Sequence, residues 1–177
     1  MNFTLINEHL TRAENARDSF DKFDALWGAF NVMYEAKRPN LIRVSGNRNP
    51  TEISMAKYCV NQLPYDQWID LFPSRIMSNL FTIAPILNMR DLLRNSQMNS
   101  RQFDRLMEIN FNQNTGNAGT DIVKLEALID LLYVVRCNKV HGFKTPGRNR
   151  DVEVLDNTVP LLNYIIPRLA DYYLNLD

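Results

Sequence analysis

The chain has 177 residues, 45% of them hydrophobic, with 20 lysines plus arginines balanced by 20 aspartates plus glutamates. That length suits one well-packed domain better than two, and a net charge of zero excludes the bulk basic excess of a protein that grips long duplex DNA electrostatically. Two cysteines (Cys59, Cys137) and two histidines (His9, His141) are too few for a disulfide framework or for a zinc site without carboxylates, so neither metal nor other cofactor is expected.

No apolar run reaches membrane-spanning length, and Met1-Asn2-Phe3-Thr4 lacks the basic-then-apolar layout of a signal peptide. A cytoplasmic protein with reduced thiols and no membrane partner is expected. Gly is scarce, at 6, and alternating apolar-polar runs are few. Both favour an all-α fold, a helical bundle over residues 1–177 with additional short helices.

Residues 1–18 interleave acids and bases and predict a solvated helix or a loosely packed arm, with His9 exposed or capping. The first firm helix is predicted over residues 19–36. Phe20, Phe23, Leu26, Trp27, Phe30, Met33 and Tyr34 recur on one face at helical spacing, a heavy core stripe with Asn31 as its odd polar member. Pro39 is expected to end it. A loop to about residue 49 then carries Lys37, Arg38, Arg43 and Arg48, a solvated segment able to touch phosphate. Asn49 as cap, Pro50 at the first helical position and Glu52 as capping-box partner predict a helix to about Leu63, stopped by Pro64.

Short helices are expected over residues 65–71, 73–82, 85–95 and 100–112, followed by a polar, glycine-bearing loop over residues 112–119. A helix from about Thr120 to Val140 is the expected centre of the bundle. Leu125, Leu128, Leu132 and Val135 form one stripe, while Ile129, Leu131 and Val134 make much of the remaining surface apolar. Such a helix needs cover on nearly all sides, from the bundle and from a second copy of the chain. A last helix from about Arg150-Asp151 carries the seam Leu155, Val159, Leu162, Ile166, Leu169 and Tyr173, with Pro160 and Pro167 bending it.

The apolar run 128–135 ends in Arg136-Cys137-Asn138-Lys139-Val140-His141-Gly142. Arginine stays cationic and offers a planar fork to phosphate oxygens. Histidine transfers protons near neutrality. Together these suit proton transfer beside a bound phosphate. On an ideal helix the two lie about 140° apart with a rise of ~7.5 Å. Either a helix loosened at Gly142 or a two-fold partner's pair would bring both chemistries to one phosphate.

This segment resembles the R-x4-6-H signature of the HEPN family of small helical domains, many of them metal-independent ribonucleases. The resemblance covers residues 120–170 well, and residues 20–36 loosely through Trp27-Gly28-Ala29-Phe30-Asn31-Val32-Met33-Tyr34. It implies a homodimer formed through the helix 120–141, with the two motifs facing across a cleft. Arg136, His141 and Asn138 would be catalytic, Asn138 orienting the imidazole or bonding substrate. Lys139, Lys144 and Arg148 would bind RNA, within a stretch of five Lys/Arg over residues 136–150 that holds no acid. A toxin–antitoxin or anti-phage setting, with an antitoxin or other defence partner, follows from the family alone. Phe143 stands where some HEPN toxins carry a modifiable tyrosine, and Cys137 stands where many members have a polar residue. The alternatives are a non-catalytic HEPN module, a helical dimer binding RNA or a partner protein, and a plain helical interaction protein.

Overall fold

A computed structural model describes residues 1–64, 118–140 and 149–176. The described residues are all-α: five helices, with no strand among them. They are α1 (Phe3–Glu14), α2 (Ser19–Ser45), α3 (Glu52–Asn61), α4 (Ala118–Val140) and α5 (Asn149–Leu174). The chain, expected from sequence to be one domain, divides by its internal contacts into two compact units. The first is Met1–Leu71 with Val159–Asp177, and the second is Phe72–Thr158. The short helices expected over residues 65–112 lie outside the described residues.

In the first unit α2 is the helix on which α1 and α3 pack. Asp18 caps its start by accepting from the Asp21 N–H. All seven residues of the expected stripe, from Phe20 to Tyr34, are buried. The rings pack along the helix as a ladder: Phe23 stacks on Trp27 at 5.9 Å, Trp27 meets Phe30 edge-on at 5.5 Å, and Phe30 meets Tyr34 edge-on at 5.3 Å. Each such contact adds about 1 kcal/mol beyond burial.

Pro39 does not end α2, as expected from sequence; the helix runs through it to Ser45. Proline removes one donor, the one that would meet the Glu35 carbonyl. Pro39 itself is exposed, and continuing the helix half-buries Leu41 and Ile42 beyond it. The stop is Gly46, at φ 70°, whose N–H closes on the Ile42 carbonyl. Lys37 and Arg43, expected in a loop, are therefore helical.

The N-terminal segment is no loose arm. Asn2 caps α1 by accepting from the Leu5 N–H. Ile6 and Ala13 are buried, with His9 and Leu10 half-buried between them, the i, i+3, i+4, i+7 face of a packed helix. His9 is packed too. A β-carbon placed on Gly28 of α2 would stand 2.6 Å from its ring, so the close approach requires glycine there.

The cap of α3 is Thr51, one step past the expected Asn49-Pro50 pair. Its hydroxyl accepts from the Ser54 N–H, while Asn49 spends its own N–H on the Asn47 side chain. Glu52, expected as a capping-box partner, turns its carboxylate to α2. Its Oε1 accepts from the Tyr34 hydroxyl at 2.6 Å and from the Trp27 indole N–H at 3.3 Å, and Asn31 donates to the same hydroxyl at 2.7 Å. Burial, then the Glu52 carboxylate, holds the Tyr34 hydroxyl well above its ordinary value, so it stays a donor.

The C-terminal part of α5 joins the same unit. Val159, Leu162, Ile165, Ile166, Leu169 and Tyr173 are buried. Pro160 and Pro167 lie inside α5, where proline cannot supply the N–H that would otherwise meet the carbonyl four residues earlier. Tyr173 donates to the Cys59 carbonyl, one of the last acceptors of α3 left open at the helix end. Lys37 of α2 lies 4.1 Å above the centre of the Tyr173 ring.

In the second unit the described part of α5 buries Asp151, Val154, Leu155 and Thr158. The Thr158 hydroxyl is satisfied by the Val154 carbonyl at 2.6 Å. The seam expected from Leu155 to Tyr173 is buried throughout.

Two outcomes check this packing. Glu52→Ala removes the acceptor shared by the Tyr34 hydroxyl and the Trp27 indole and should lower stability by about 2 kcal/mol, with Glu52→Gln costing less, as read from urea unfolding midpoints. Gly28→Ala should destabilise the native chain but stabilise a His9→Ala variant by about 1 kcal/mol, the ordinary helical gain once the ring is gone.

Candidate functional site

The candidate site grows from the end of α4. This helix is apolar around most of its circumference, and the chain itself covers most of that surface. Leu125, Leu128, Leu132 and Val135 are buried, and so are Ile129 and Leu131, each 1% exposed. Among the described side chains of α4, Tyr133 and Val134 are the apolar ones left half-buried. The expected start at Thr120 moves to Ala118, so Ala118 and Gly119 of the expected loop belong to the helix.

Arg136 stands in the last turn given for α4 and is half-buried. Its guanidinium carbon lies 6.0 Å from the centre of the Tyr133 ring, the neighbour three residues earlier on the same helix face. Cys137 beside it is half-buried. The backbones of Asn138 and Lys139 continue α4, so the spacing from Arg136 to Lys139 is one helical turn. His141, Lys144 and Arg148 lie outside the described residues, as does the expected cap at Gly142. At the start of α5 the backbone of Arg150 is helical and Asp151 is 2% exposed.

Among the described residues no three His, Cys, Asp or Glu side chains gather in a way that could hold a metal ion. No helix among them is long and apolar enough to cross a membrane.

The two thiols differ in their surroundings. Cys59 is fully buried, and burial pushes its thiol up to about 12. Its Sγ lies 3.7 Å from the Tyr173 hydroxyl. With the acid form favoured and reagent excluded, Cys59 is inert in the folded chain. A thiol reagent at pH 8 should therefore label Cys137 alone, and label both cysteines in denaturant; Cys137→Ser should abolish native labelling, read by intact mass.

Comparison with protein-family models, with curated proteins and with solved structures gave no match, so the site rests on the chemistry of its own residues.

Proposed function

We propose that the chain is a HEPN-type endoribonuclease that cleaves RNA without a metal, through attack of the ribose 2′-oxygen on the adjoining phosphorus. The observation that carries the proposal is the end of α4, where an apolar, largely covered helix delivers Arg136 half-buried, with His141 following five residues later in the chain. A cation held against an aromatic ring in a partly dry setting acts more strongly on phosphate than one in bulk water.

In the proposed reaction His141 accepts the 2′-hydroxyl proton, a transfer that imidazole performs near neutral pH. The new bond joins the 2′-oxygen to phosphorus, and the bond to the 5′-oxygen breaks. The leaving oxygen takes a proton, from the same imidazole or from that of a second subunit. The products are a 2′,3′-cyclic phosphate and a 5′-hydroxyl. Arg136 balances charge on the equatorial oxygens, Asn138 orients the imidazole or the substrate, and Lys139, Lys144 and Arg148 hold the strand. The half-buried Tyr133 and Val134 give a second copy an apolar strip on which to seat. A toxin or anti-phage role, with its antitoxin, belongs to the same proposal through the resemblance alone.

Incubation with single-stranded RNA in EDTA should yield 2′,3′-cyclic phosphate ends. Arg136→Ala and His141→Ala should each lower the rate by about 10²-fold or more with helical content unchanged. Cleavage by purified His141→Ala at the native rate overturns the proposal. RNA retained without cleavage by the native chain points instead to a non-catalytic HEPN module.

A further inference from the structure

The chain is neutral in total, yet residues 36–51 carry Lys37, Arg38, Arg43 and Arg48 and no acid. The structure separates these four cations. Lys37 is committed to the Tyr173 ring, and Arg38 pairs with Glu35 at 3.5 Å. Arg43 and Arg48 are exposed, and neither meets a carboxylate among the described residues.

The segment between them is ordered. Gly46 closes α2 through the Ile42 carbonyl. The Ser45 hydroxyl donates to the Leu41 carbonyl at 2.8 Å and accepts from the Asn47 N–H at 3.2 Å, and the Asn47 side chain accepts from the Asn49 N–H at 3.0 Å. These bonds fix the turn that presents Arg48. In the last turn of α2, Arg43 opposes the helix dipole. Arg48 lies past the cap, where no helix end needs its charge. Because the backbone carrying both guanidinium groups is already ordered, meeting an anion costs only the ordering of the two side chains.

We infer that the tip of α2 and its following turn, through Arg43 and Arg48, form a phosphate-binding surface for the backbone of single-stranded RNA. The choice of RNA as the polyanion rests on the function proposed above. Val44, 71% exposed between Arg43 and the cap, is the one large apolar side chain exposed on this tip. An anionic membrane surface would call for a whole apolar face beside the cations.

The probe is a fluorescein-labelled single-stranded RNA methylated at every 2′-oxygen, which keeps its phosphates and lacks the attacking hydroxyl. Anisotropy titrations of the native chain across a range of salt give the affinity and its salt slope. Arg43→Gln with Arg48→Gln should reduce the slope by ~1.4, two contacts at ~0.7 each, and weaken binding about 25-fold at 0.1 M salt. Arg43→Lys with Arg48→Lys should keep the native slope, and circular dichroism should be unchanged in both variants. An unchanged slope in the Gln variant overturns the inference even if the native chain cleaves RNA. A reduced slope in a chain that cleaves nothing upholds the surface while the ribonuclease proposal fails. Failure of the native chain to bind the probe overturns the inference, while cleavage of unmethylated RNA decides the ribonuclease proposal separately. Loss of binding to phosphatidylserine vesicles in the Gln variant, with RNA affinity intact, overturns the inference in favour of a membrane surface.

Discussion

The carboxylate of Glu52 is the polar contact on which the first unit depends. The aromatic ladder of α2 places two polar-tipped rings in the core, and both tips need an acceptor once water is excluded. One carboxylate oxygen receives both the Tyr34 hydroxyl and the Trp27 indole N–H. Because Glu52 is the first residue of α3, the same group carries a negative charge at that helix's positive end. The contact thus satisfies α2 and fixes where α3 begins against it.

The far end of α3 is held by a second polar contact of a different kind. There the Tyr173 hydroxyl of α5 meets the Cys59 carbonyl, with Lys37 of α2 over the ring. Three helices meet through one tyrosine, whose hydroxyl burial holds firmly protonated. The short α3 is therefore pinned at its start by a carboxylate and at its end by a phenol. Between them Met55, Ala56, Cys59 and Val60 supply the apolar contact.

Charge is distributed on a different plan from packing. The neutral total conceals two acid-free segments, residues 36–51 with four cations and residues 136–150 with five. In the first, Lys37 lies over the Tyr173 ring of α5, Arg38 pairs with Glu35 one turn back on α2, and Arg43 and Arg48 are left outward. In the second, Arg136 rests against Tyr133 at the end of an apolar helix. The proposed chemistry and the proposed strand contact draw on these local excesses, which average composition hides.

The sequence by itself determined the helical class, the buried stripe of α2, the apolar course of α4 and the seam of α5. Each is written as periodic burial along one helix, which needs no knowledge of a partner. It also presented Arg136, Asn138, Lys139 and His141 as a spacing, which states what chemistry is on hand but not how the groups face one another. Only the tertiary structure decided that Pro39 stays within α2, because half-burial of Leu41 and Ile42 is a property of neighbours. Only it decided that His9 packs over Gly28, that Glu52 serves two rings of α2, and that one chain covers Ile129 and Leu131. For His9 and for Glu52 the deciding energy lies in a contact between helices. No local pattern of residues encodes such a contact, because its two halves stand far apart in the chain.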